Sequence, residues 1–155
     1  MDMKTRITAG LKEAMRAKET ERLATLRLIS AAIKDREIAL RADAGEGEVP
    51  TLEDAGVLAI LGKMVKQRQE SARAYEEGGR LELAEKERAE IRIIEDYLPK
   101  QLDDDEIAAA VDKAIAETGA SSIRDMGKVM AALKAKYTGR MDFGKVGPMV
   151  KDRLS

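Results

Sequence analysis

The side chains of this chain that could do chemistry are carboxylates and cations, and little else. Its 155 residues include no His, no Cys and no Trp. The commonest general base, the commonest metal ligand and the thiolate nucleophile are therefore missing together. Gly127-Lys128 is not a phosphate loop, because the four-residue spacer after a first Gly and a preceding strand are both lacking. The densest acidic run, Asp103-Asp104-Asp105-Glu106, would serve a Mg²⁺ ion only with further oxygen ligands. It reads better as a helix start: the dipole favours acid there, Asp103 caps, Glu106 reaches back, and Leu102 staples to Ile107. No catalytic residue, no metal site and no cofactor is assigned.

Two charges break the apolar pattern. On a helical wheel Arg68 falls among Val57, Leu61, Met64 and Tyr75, and Glu87 falls among Leu83, Ala84, Ile91 and Ile94. A buried charge without a partner costs several kcal/mol. Counted from Gly78-Gly79 at about 1.5 Å per residue, Arg68 and Glu87 lie within roughly 3 Å of one level. The expectation is an Arg68–Glu87 ion pair that sets register, with Glu37 as the alternative partner. The functional alternative is an Arg68 offered to a ligand in a cleft.

The third constellation is cationic. From Arg124 to Ser155 eight Lys and Arg residues stand against Asp125, Asp142 and Asp152, a local surplus of five in a chain whose net charge is -1. Arg124 and Lys128 point away from the stripe of Met126, Val129, Met130, Leu133 and Tyr137, Lys134 and Lys136 flank it, and Arg140 and Lys145 extend the charge beyond. One reading is a solvated face. The other is a surface that neutralises backbone phosphates without reading sequence. Arg27, Lys66 and Arg73 form a second basic set upstream. With one Phe and three Tyr there is no platform for stacking bases, so a nucleic-acid ligand would be folded RNA read by shape, not DNA. The Met126/Met130 stripe reads as core before partner groove.

The elements that must position these residues are all helical. Charged residues make up 37% of the chain and aromatics 3%, with three Pro, and nothing reads as a strand. Met3, Ile7, Leu11 and Met15 mark a helix from Asp2 to about Ala17. Leu23, Leu26, Ile29, Ile33 and Leu40 mark a second from Thr20 to about Ala42, with Arg22, Arg27 and Lys34 at its margin or beyond. Ala44-Gly45-Glu46-Gly47-Glu48-Val49-Pro50 reads as a loop, and Thr51 with Asp54 as the cap of a third helix. That helix carries Val57, Leu61, Met64, Val65, Ala72 and Tyr75 to Gly78-Gly79. A fourth follows with Leu83, Ala84, Ile91, Ile94 and Leu98, which makes an antiparallel hairpin.

At Tyr97-Leu98-Pro99-Lys100-Gln101-Leu102 the helical pattern stops, because Pro99 removes a donor and restricts Leu98. Helices follow over about 103–118, from Ser122/Asp125 to Gly139, and over about 142–154 with Pro148 near the start. The expected architecture is all-α: a domain of residues 1–98 with a long hairpin, a Pro hinge at Leu98-Pro99, and a basic three-helix bundle of residues 99–155. No apolar run approaches the ~20 residues of a membrane span and no signal-peptide core follows Met1, so no membrane partner is expected and the expected address is cytosolic.

Four segments resemble one family. Arg22-Leu23-x-x-Leu26-Arg27-Leu28-Ile29-x-Ala31-Ala32-Ile33-Lys34 is similar to the N-terminal signature of the YqeY proteins. Lys66-Gln67-Arg68-x-Glu70-Ser71, Glu90-Ile91-x-Ile93-Ile94-x-x-Tyr97-Leu98-Pro99, and Asp125-Met126-Gly127-Lys128-Val129-Met130 with Gly139-Arg140-x-Asp142 follow in the family's order. The resemblance implies a two-part helical protein similar to the tail of the B subunit of tRNA-dependent amidotransferases, a tail associated with gripping tRNA. It also implies, by label, carbon–nitrogen ligase activity with glutamine as amido donor. The residues do not support a complete ligase, because nucleotide loop, His, Cys and an amidase-type Ser/Lys constellation are all lacking. The expectation is a non-catalytic module that binds tRNA or another folded RNA, or assists an amidotransferase or aminoacyl-tRNA assembly. A ligase component and a protein-interaction scaffold on Met126/Met130 stand as alternatives.

Overall fold

Helix α1 (Met3–Arg16) opens where Asp2 accepts a hydrogen bond from the Thr5 N–H at 2.7 Å, and it buries Met3, Ile7 and Ala14. Met15, expected inward, is 49% exposed. Each four-residue step turns about 40° past a full circle, so the third step from Met3 has rotated out of the core and Ala14 takes the place. The structure, a computed structural model, describes residues 2–45, 47 and 51–155. Most of the loop expected at 44–50 lies outside them.

Helix α2 (Thr20–Asp43) buries Thr25, Leu26, Ile29 and Ile33. Helix α3 (Asp54–Glu77) does not start on the expected Thr51/Asp54 cap: no side chain caps it. Asp54 instead accepts the Met3 N–H at 3.0 Å, and Glu37 accepts the Leu52 N–H at 3.3 Å. Asp54 thus satisfies an orphaned first-turn N–H of α1, and Glu37 satisfies the Leu52 N–H in the segment before α3.

Helix α4 (Leu81–Glu95) folds back along α3 after Gly78, Gly79 and Arg80. Gly79 has φ +76°, which a side chain would resist, and the Arg80 N–H closes the turn on the Tyr75 carbonyl at 2.7 Å. Ala72 and Ala84 are buried along the hairpin. Leu83, expected in the stripe, is 39% exposed. The core of this part comprises Met3, Ile7, Ala14, Leu26, Ile29, Ile33, Val57, Leu61, Met64, Ile94 and Tyr97.

The described residues are all helix, turn and coil, in agreement with the all-α expectation. The chain divides into two compact units, Met1–Leu98 and Pro99–Ser155. In the second, α5 (Asp104–Thr118) has the expected capping box: the Glu106 N–H donates to Asp103 at 2.8 Å and the Asp103 N–H to Glu106 at 3.3 Å. A 3₁₀ turn (Ile123–Asp125) leads into α6 (Met126–Tyr137), so the expected Ser122 cap is replaced by this turn. Helix α7 (Phe143–Leu154) is capped by Asp142 and accommodates Pro148 in its second turn. Ala110, Val111, Ala114, Val129, Leu133, Met141, Val146, Val150 and Leu154 make its core, with Met126 and Met130 partly buried against it. Those two methionines are spent on packing. Among the described residues no helix is long and apolar enough to cross a membrane.

Candidate nucleic-acid interface

The expected cations of the second unit, Arg140 apart, are presented by three helical elements. Arg124 lies in the 3₁₀ turn and Lys128, Lys134 and Lys136 on α6, all exposed; Lys145 is exposed on the first turn of α7. Val129 and Leu133 anchor α6 in the core, which leaves these long side chains on the wet arc. Among the described residues, ion pairs in this unit join Lys113 to Glu117 at 3.9 Å and Arg153 to Asp112 at 2.6 Å. None of the five cations enters one. Asp125 accepts the Ser121 N–H at 3.1 Å. That hydrogen bond holds its carboxyl below the ordinary carboxylate value, and Lys128 adds to the effect.

Arg140, expected in the same set, is engaged within the protein. Its Nε donates to the Lys100 carbonyl at 3.1 Å, its own carbonyl accepts the Leu102 N–H at 2.9 Å, and its guanidinium lies 5.9 Å from the Tyr137 ring centroid. Gln101 donates to the Gly139 carbonyl beside it. Segment 99–102 is thus strapped to the α6–α7 turn, and Arg140 is the buckle. Four residues before a helix cap carry too few local signals to reveal that.

The upstream basic set belongs to the first unit. Arg27 is exposed on α2, and Lys66 and Arg73 are exposed on α3, where Arg73 stands beside the Glu76–Arg88 pair. The expected Arg68–Glu87 pair is not the one formed. Arg68 donates Nε to Glu90 at 3.0 Å and Nη1 to the Met64 carbonyl at 3.2 Å. Both side chains are largely buried, at 15% and 22% exposure. Glu37, the alternative, pairs with Lys4 at 2.6 Å. Arg68 therefore clamps α3 to α4.

One cluster went unread in the sequence. Tyr97 is buried against α1, with the Arg6 and Arg22 guanidiniums 5.6 and 5.9 Å from its ring centroid. Arg22 donates to Asp96 at 2.9 Å and to the Tyr97 hydroxyl at 3.4 Å. The Asp96 hydrogen bond raises the already high pKa of the guanidinium. The available signal was Gly10, a helix-interior Gly whose cost of about 1 kcal/mol needs a reason. A Cβ there would sit 1.9 Å from the Tyr97 hydroxyl.

A profile of the family described as Yqey-like protein matches residues 4–154. The chain is 27% identical over 136 residues to the protein named "Altered inheritance of mitochondria protein 41, mitochondrial" of Pyrenophora tritici-repentis, covering 84% of this chain and 71% of that one. Proteins of the same name from Clavispora lusitaniae (38% over 92 residues) and Lachancea thermotolerans (30% over 98 residues) match 59% and 63% of this chain and 49% of their own length. The chain thus spans about half the length of these two relatives. These names overturn the expected cytosolic address: all three relatives are called mitochondrial. The lack of a long apolar run, on which that expectation rested, does not distinguish one aqueous compartment from another.

Proposed function

The chain belongs to the family of Yqey-like proteins, and from that premise we propose that it is a non-catalytic helical module that binds folded RNA of the tRNA class, alone or within a tRNA-modifying assembly. The observation that carries this reading is the set of five exposed cations, Arg124, Lys128, Lys134, Lys136 and Lys145, held on one small unit. Long cationic side chains exposed on helical elements can neutralise backbone phosphates, and among the described residues no exposed aromatic platform accompanies them. The resemblance to the amidotransferase B-subunit tail supplies the RNA class. Arg27, Lys66 and Arg73 are not needed for it.

Binding of purified tRNA tests the proposal. With about five phosphate contacts, affinity falls on the order of 10²–10³-fold between about 50 and 200 mM salt. Lys128→Glu with Lys136→Glu abolishes most of it while the helical content is unchanged, since both side chains are exposed. Binding indifferent to salt and to that double variant would overturn the reading. Release of glutamate from glutamine in the presence of ATP, Mg²⁺ and Glu-tRNA or Asp-tRNA would overturn its non-catalytic half.

A further inference from the structure

Helix α2 is apolar on two opposite faces. Leu26, Ile29 and Ile33 are buried in the first unit's core. On the far side Leu28 and Ile38 are 47% and 56% exposed, and Ala24, Ala31 and Ala42 are exposed between and beside them. Positions 24, 28, 31, 35, 38 and 42 advance by four and three residues alternately, the 3.5-residue spacing of a seam on which another helix winds. They fall within an arc of about 80°. Asp35 is the one polar member.

The two margins of the seam differ in charge. One residue before 28, 35 and 42 stand Arg27, Lys34 and Arg41, all exposed. The opposite margin turns into the core and carries no charge: Thr25 is buried, Ala32 packs against the core, and Ala39 is exposed. A second copy of this chain fits poorly. Antiparallel, its own cationic margin would meet Arg27, Lys34 and Arg41. Parallel, those three would meet an uncharged margin that is mostly turned into the partner copy's own core, with no carboxylate to pair them. An RNA backbone would satisfy the cations but leave Leu28 and Ile38 in water.

We propose that this face docks an amphipathic helix of another protein, with an apolar heptad seam, Glu or Asp along the margin that meets Arg27, Lys34 and Arg41, and a basic residue opposite Asp35. The proposal goes beyond the RNA reading and stands or falls separately from it, because it uses a different unit.

Two synthetic four-heptad helical peptides test it, both with Leu in the seam, one with Glu and one with Lys along the margins, each used below its own association range. The full-length chain binds the Glu peptide at least tenfold more tightly than the Lys peptide. Leu28→Asp with Ile38→Asp removes that binding and leaves tRNA binding unchanged. Should this variant fold poorly, Arg27→Glu, Lys34→Glu and Arg41→Glu, confined to the exposed margin, reverses the preference between the peptides. Equal binding of both peptides, or binding insensitive to either variant, would overturn the proposal. So would self-association of the chain in sedimentation that Leu28→Asp with Ile38→Asp abolishes, since the occupant would then be a second copy.

Discussion

Arg68 shows how narrowly a side chain's partner depends on where helices begin. Helix α3 ends at Glu77, nine residues beyond Arg68, and α4 starts at Leu81, nine residues before Glu90. The two are level. Glu87 is one turn nearer the hairpin tip, about 4.5 Å along the axis. Replacement of Glu90 by Gln weakens the charged bond to Arg68 and leaves the Met64 carbonyl as its main acceptor, a loss of about 1–3 kcal/mol. Glu87→Gln changes stability by no more than about 0.5 kcal/mol. Denaturant unfolding of the two variants checks this, and equal losses would contradict the assignment. At the same scale Arg140, held by the Lys100 carbonyl, is a poor probe of RNA binding because its removal loosens the strap.

At the scale of elements, α1 and the end of α4 are joined through one glycine. Ala is the better helix former by about 1 kcal/mol, yet a Cβ at Gly10 would meet the Tyr97 hydroxyl at 1.9 Å and the ring carbon that bears it at 3.1 Å. Tyr97 cannot withdraw freely, because it is 7% exposed and flanked by Arg6 and Arg22. Gly10→Ala is therefore destabilising by about 1–3 kcal/mol. In a Tyr97→Phe background, which removes the oxygen, the penalty shrinks. The double-mutant cycle reads that coupling directly, and additive effects would show that the contact is not the cause.

At the scale of the whole molecule, charge sets the response to acid. Hydrogen bonds from Thr5 lower the Asp2 carboxyl, the Lys4 ammonium lowers Glu37, Arg92 lowers Glu85, and the Ser121 N–H lowers Asp125. Their folded values lie below the unfolded ones, so at intermediate pH the unfolded state binds more protons. Their contribution is complete above the ordinary carboxylate range and is lost as pH falls through the folded values. Thermal unfolding is then steady near neutrality and declines below about pH 4.5. Glu37→Gln starts lower at neutral pH and loses less on acidification. An acid limb of unchanged slope in that variant would remove Glu37 from the account.

The sequence by itself determined the helices, the Asp103–Glu106 capping box, the break before Pro99 and the cationic bias after Arg124. Each of these is written within a turn or two of chain, in periodicity, caps and breakers that act locally. Only the tertiary structure decided that Arg68 meets Glu90, that Asp54 holds the Met3 N–H instead of capping α3, that Arg140 serves the strap and Lys128 the solvent, and that Leu28 and Ile38 stay uncovered. Those outcomes turn on the axial offset and rotation of one helix against another. With α3 ending at Glu77 and α4 starting at Leu81, Glu90 stands level with Arg68 and Glu87 stands about 4.5 Å nearer the hairpin tip.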